Sequence, residues 1–354
     1  MTLRDISRLR LASQQISVQM ARTPADVVAS FGAMQAQDYA SALWAIGLRL
    51  SSASEAEIEQ AVAGREIVRS WPMRGTLHFV AADDLRWMLA LMTPRVIAAS
   101  RRRWEELELS DAIFVKSRKV VEKLLGGGKI LAREDLLAGL EGRGISTAGG
   151  RAYHILWRLA QERVLCFGPR DGKQKTFVLL DEWIPRSREL SGEAALAELA
   201  LRYFTSHGPA TQADFVWWSG LKVSDAKAGL AEAGTRLANE TVDGKVYWMA
   251  RDLAPVGVSG GFLLPAFDEY LLGYADRGAV LEAKHSPKVV PGSNGVFLPM
   301  LVRDGLVVGT WKRSSGRKEV TIQAIPFARL AMAPFAKATK RYGSFLGLAA
   351  KFKE

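Results

Sequence analysis

The stretch Arg236-Leu-Ala-Asn-Glu-Thr-Val-Asp-Gly-Lys-Val-Tyr-Trp-Met249 decides how much of this chain folds. Two runs of strand-forming residues flank Asp243-Gly244, the dipeptide favoured in two-residue type I′ hairpin turns. Upstream, 193–206 has helical apolar spacing and stops at Gly208-Pro209. A short helix over 212–218 and a third over 223–233 follow. Three helices and then a two-stranded hairpin is the winged form of the helix-turn-helix plan.

The same order occurs once before. Helical spacing over 117–125 ends at Gly126-Gly-Gly, and 132–140 reads as a second helix. A third, 148–162, sets Ala152, Ile155, Leu156 and Leu159 on one face, and strands 164–167 and 176–180 flank a Gly-Pro-Arg-Asp-Gly-Lys turn. Two tandem occurrences support each other.

The N-terminal part fits a looser copy. Helices over 3–20 and 24–33 are followed by 41–50 and 55–63. A hairpin of 67–71 and 75–80 closes near Pro72-Met73, and a helical connector runs from 85 past Pro94 to 107. From about Pro255 the texture changes to short β-rich runs: 262–264, 279–281, 295–301, 306–311 and 319–325. Asp304-Gly305 and Ser315-Gly316 are the turns, and 328–342 is a terminal helix. The expected fold is α+β, with tandem winged-helix motifs followed by a small C-terminal β-barrel. The expected segments are 1–110, 111–188, 189–254 and 255–354.

Composition bounds the partners. Among 354 residues, 48 Lys and Arg against 37 Asp and Glu leave a net charge of +11. That excess points to a polyanion, nucleic acid first and an anionic membrane surface second. A basic amphipathic anchor with bulky apolar residues is missing, which disfavours the membrane. Arg101-Arg-Arg could meet phosphates or simply form a solvated face. Cys166, the single cysteine, excludes internal disulfides and reads as apolar filler in a strand. With no apolar signal core and no membrane-length run, the expectation is a cytoplasmic monomer without an obligate protein partner.

Several catalytic patterns are absent. His78, His154, His207 and His285 are scattered, none at ligand spacing with another, so neither metal nor cofactor is expected. Gly126-Gly-Gly-Lys129 lacks the glycine spacing of a phosphate loop, and Ile130 stands where Ser or Thr belongs. No serine lies in a Gly-x-Ser-x-Gly elbow.

What remains is more specific. In Phe31-Gly-Ala-Met-Gln-Ala-Gln-Asp-Tyr-Ala-Ser-Ala-Leu-Trp44, Gln35 and Gln37 stand two apart before Asp38 and an apolar helix. Residues two apart share a side of an extended segment. If Asp38 caps the helix, both amides lie on the short connection before it and can face one cavity. The plainer reading is a solvated turn. Phe267-Asp-Glu-Tyr-Leu-Leu-Gly-Tyr-Ala-Asp-Arg277 interleaves three carboxylates and an arginine with apolar residues. It is either a buried Asp–Arg pair fixing a loop or the wall of a polar pocket. Lys312-Arg-Ser-Ser-Gly-Arg-Lys318 reads as a hairpin tip with four cations, Lys312, Arg313, Arg317 and Lys318, suited to phosphates or merely solvated. Arg151 and Arg158 lie on the helix that would read a groove, unless tandem packing buries it.

Gln35-Ala-Gln37, Met73-Arg-Gly-Thr-Leu-His78, Phe267–Arg277, Gly295-Val-Phe-Leu-Pro and Val308-Gly-Thr-Trp-Lys312 together resemble the AlkZ/YcaQ family of winged-helix DNA glycosylases. The likeness spans nearly the whole chain. It implies tandem winged helices, a C-terminal β-barrel, and excision of N7-alkylated purines from double-stranded DNA, with interstrand crosslinks unhooked by some members. The family's catalytic motif is Gln-x-Gln in one branch and Gln-x-Asp in the other. Gln35 and Gln37 match the first, while Asp38 falls one place late for the second. A barrel hairpin probes DNA in the family, and charge alone assigns that role here to 312–318. Arg74, His78, Asp268 and Asp276 are the further pocket candidates. The rival is a non-enzymatic winged-helix regulator, which would prefer a defined site over steeply salt-dependent duplex binding.

Overall fold

Side-chain caps set several helix starts in this chain, and they are legible as Ser/Thr/Asp positions ahead of apolar runs. In the computed structural model, which describes residues 1–254, 257, 260–292 and 295–353, Thr2 and Asp5 form a capping box on the helix Leu3–Ser13. Thr23 and Asp26 do the same for Pro24–Phe31, and Thr211 and Asp214 for Gln212–Ser219. Each box satisfies N–H groups that the first turn leaves without partners. Asp38 caps Tyr39–Leu48 as expected, accepting the Ser41 N–H at 2.8 Å.

The chain forms two compact units, Met1–Ile58 with Leu196–Glu354, and Glu59–Ala195. The second unit opens on the hairpin Ile67–Met73 and Thr76–Ala81. Its turn is Arg74-Gly75, both at positive φ, two residues beyond the expected closure. The connector is the helix Ala82–Ala99, which carries Pro94 inside it, and then Arg101–Glu106. Helices Asp111–Leu125, Arg133–Glu141 and Arg151–Gln161 come next, in the expected order. Strands Leu165–Phe167 and Thr176–Leu179 pair antiparallel, and Leu131–Ala132 adds to the free side of Thr176–Leu179. Trp104, Phe114, Leu136, Leu140, Trp157 and Phe177 fill the core. Cys166 is fully buried there, and desolvation pushes its thiol far above the ordinary range.

In the first unit, helices Gln212–Ser219 and Val223–Ala233 precede the hairpin Leu237–Val242 and Lys245–Ala250. Asp243 and Gly244 both have positive φ, the geometry of the expected I′ turn. Gly229 is needed for close packing, since a Cβ there would sit 2.6 Å from the Leu196 carbonyl oxygen.

The C-terminal sheet differs from the expected barrel. Its five strands run, in spatial order, Ala349–Lys353, Glu319–Pro326, Leu306–Ser315, Met300–Arg303 and Gly261–Leu264. The sheet curls but stays a half-barrel, because its edge strands do not pair with each other. The helix Ala336–Leu346 packs against both edges instead. Residues 279–281 and 295–299 are not strand, the helix starts eight residues later than expected, and the last strand pairs parallel. Pro255, the expected boundary of the last segment, lies outside the described residues. No described helix is long and apolar enough to cross a membrane.

Candidate active site

The Gln-x-Gln segment is a short extended piece, Met34–Gln35, running into the Asp38 cap. Its two amides differ. Gln35 is 7% exposed, whereas Gln37 is exposed to solvent. The Gln35 side-chain oxygen is buried with no protein hydrogen-bond partner. An orphaned buried acceptor costs about 1–3 kcal/mol, so it calls for an explanation.

The main chain of the same residue is firmly held. Its N–H donates to Oε1 of Glu269 at 2.8 Å. Glu269 is itself buried, and its other oxygen accepts the Trp218 indole N–H at 3.1 Å. His207 Nε2 lies 3.4 Å from that oxygen. Burial of His207 pushes its pKa down, with Glu269 pulling the other way. Ser206 Oγ stands 2.8 Å from Nδ1. The Ser206 hydroxyl also donates to the Arg202 carbonyl at 2.7 Å. Tyr203 stacks on the ring at 4.6 Å and Phe31 meets it edge-on at 5.2 Å.

Next to Glu269, Asp268 forms a buried ion pair, though not with Arg277. It takes both guanidinium nitrogens of Arg49, at 3.0 and 2.9 Å, and both side chains are wholly buried. Arg49 also donates to Gln14 and to the Ala45 carbonyl. Asp276 is half-exposed and pairs with Lys245 at 2.6 Å; that hydrogen bond holds its carboxyl below the usual range. In the second unit, Arg74 sits half-buried at its hairpin turn. His78 is fully buried, its Nδ1 3.0 Å from the Thr76 carbonyl.

The basic candidates separate sharply. Lys312, Arg313, Arg317 and Lys318 are all exposed. Lys312 and Arg313 belong to the strand Leu306–Ser315, and the turn itself is 316–318. Arg313 donates to the Tyr342 hydroxyl and lines a cleft of about 60 Å³ with Ala40, Ser41, Trp44 and Trp311. The base of the basic hairpin therefore borders the first turn of the helix that Asp38 caps. Arg151, by contrast, is spent on carbonyls: its guanidinium bonds Ser146, Leu107 and Glu108. Arg158 is 17% exposed, pairs with Glu162 and stacks over Trp104 at 4.7 Å. It lines a cavity of about 610 Å³ with Thr93, Phe114 and Arg118.

Sequence reasoning missed Glu269, His207 and Trp218. No spacing rule links them to Gln35, since the contact to Glu269 spans 234 positions. A weak signal was present, in that Glu269 lies inside the acidic–aromatic segment already singled out. Among the described residues no group of three His, Cys, Asp or Glu is placed to hold a metal ion.

The profile of the AlkZ-like DNA glycosylases matches residues 28–345, and the chain belongs to that family. A curated relative from Streptomyces sahachiroi, an interstrand DNA cross-link repair glycosylase, is 28% identical over 337 residues, covering 87% of each chain. The solved structure of Streptomyces sahachiroi DNA glycosylase AlkZ superposes with a TM-score of 0.78 at 22% identity. It covers all of this chain and 99% of its own.

Proposed function

We propose that this protein hydrolyses the N-glycosidic bond of cationic N7-alkylated purines in duplex DNA, with Gln35 and Gln37 as the catalytic pair. Family membership supports the reaction class. The observation that carries the residue assignment is the buried Gln35 amide oxygen, which has no protein partner while its main chain is fixed. Such an acceptor suits the alignment of a water proton.

The chemistry fits neutral amides. An N7-alkylpurine already carries positive charge, so the base leaves without protonation by a strong acid. Water oxygen forms the new bond to C1′ as the C1′–N9 bond breaks. The bonding pair goes to the base and neutralises it, and the water releases a proton. The protein contributes positioning and dipoles aimed at an oxocarbenium-like sugar. An amide offers both a donor and an acceptor, so one glutamine orients the water and the other holds sugar or phosphate. The reaction needs no metal in this scheme. The two helix–hairpin segments act as winged helices on the duplex, and the hairpin cations 312–318 contact phosphates. The relative's name extends the proposal to interstrand crosslinks.

Release of 7-methylguanine from an alkylated duplex tests this. Gln35→Ala and Gln37→Ala should each lower the rate by about 100-fold with DNA affinity retained. No release by the native protein from monoadduct or crosslink would overturn the reading and return the regulator to first place.

A further inference from the structure

Building on that reading, we infer that Glu269 is a positioning residue that seats Gln35, with Trp218 and His207 locking its carboxylate. Three observations converge. One oxygen takes the Gln35 main-chain N–H at 2.8 Å, and the other takes the Trp218 indole N–H at 3.1 Å, with His207 Nε2 at 3.4 Å. The carboxylate is 1% exposed and is turned toward these N–H groups. Its neighbour Asp268 holds Arg49 instead. The groups that meet it, from Gln35, Trp218 and His207, come from separate stretches of the chain.

Glu269 is met by the N–H groups of Gln35 and Trp218. A main-chain N–H bond to a carboxylate oxygen is about twice as strong as a neutral one when the acid is ionised. A single such bond to the main chain of Gln35 fixes where its side chain leaves the backbone. Misplacing a positioning group by about 1 Å costs on the order of 100-fold in rate. Glu269 thus acts through Gln35, and touches neither sugar nor base. His207 sits one step further out. Its ring is clamped between Tyr203 and Phe31, with Ser206 Oγ at Nδ1 and the carboxylate facing Nε2.

The decisive substitution is Glu269→Gln. The amide keeps one acceptor but turns an NH₂ toward either the Gln35 N–H or the Trp218 N–H, so one of the two bonds is lost. Trp218→Phe removes the outer donor while keeping a ring in place, and is the milder control. Two readouts are needed on the full-length protein. The first is single-turnover release of 7-methylguanine with the DNA dissociation constant measured alongside. The second is amide hydrogen exchange at Gln35.

Seating predicts that Glu269→Gln slows release at saturating enzyme by 10-fold or more, leaves the DNA dissociation constant within 2-fold, and speeds exchange at Gln35 selectively. Trp218→Phe should give a smaller change of the same kind. Native-rate release by Glu269→Gln overturns the inference. So does a parallel loss of binding, rate and exchange protection across the whole unit, which marks a general structural role. Absence of release by the native protein would sink the glycosylase reading alone. The exchange measurement then still decides the seat, because unchanged protection at Gln35 in Glu269→Gln would refute it.

Discussion

The polar cluster beneath Gln35 and the basic hairpin at 312–318 are opposites in construction. In the cluster, Arg49, Asp268, His207 and Glu269 are buried, and several bonds converge on each carboxylate. In the hairpin, four cations are exposed on one protrusion. A buried network fixes geometry and tolerates little change, because a removed partner strands a desolvated group. An exposed set of like charges tolerates single losses, because each contributes a similar, screened share. The difference separates residues that set a shape from residues that supply an attraction.

Asp268→Asn is the severest way to break this contrast. It leaves the Arg49 guanidinium uncompensated in the interior, and should destabilise the fold by about 3–5 kcal/mol. Urea denaturation at unchanged slope would measure it; a loss under about 1 kcal/mol would mean the pair is less committed than its geometry indicates.

Neutralising Lys312, Arg317 and Lys318 together should leave stability untouched and weaken duplex binding by roughly 10-fold at moderate salt. Binding titrated against salt should then give a log–log slope shallower by about 2–3. Any one of the three changed alone should cost only a few-fold. A single substitution that abolished binding would move the hairpin into the class of shape-setting residues.

The smallest effect is expected at Arg151→Ala and Arg158→Ala. Both guanidinium groups are engaged within the fold, so duplex affinity should change by less than about 2-fold. Arg158→Ala should instead register as a modest loss of stability, since it stacks on Trp104 and Phe114. A large fall in affinity would show that these pairs open on DNA.

Much of the helical order was legible because it rests on local signals. Apolar spacing and the glycine turns placed helices at 117–125, 132–140 and 223–233, the first six residues short of its start at Asp111, and the Asp38 cap followed from residue type. Asp243-Gly244 and Asp304-Gly305 marked their turns through the positive φ that both adopt. The half-barrel was read as closed because nothing local distinguishes a strand edge paired to another strand from one covered by a helix. Ala349–Lys353 went unseen, since a short run alternating with lysines has a weak strand signature. The Gln-x-Gln pair was singled out from its resemblance and its place before the cap. Asp268 was singled out as a pocket candidate, and its counter-ion is Arg49, far away in sequence. Glu269 was passed over for the same reason: contacts across more than two hundred positions leave no periodicity.

That separation has a consequence for the order in which the protein is made. Ribosomes add about 5–20 residues per second, so the carboxylate that meets Gln35 emerges roughly ten to fifty seconds after Gln35 itself, 234 positions later. Throughout that interval the growing chain carries both glutamines without the seat for Gln35. The pair reaches its finished geometry only when the late half of the polypeptide folds back onto the early one.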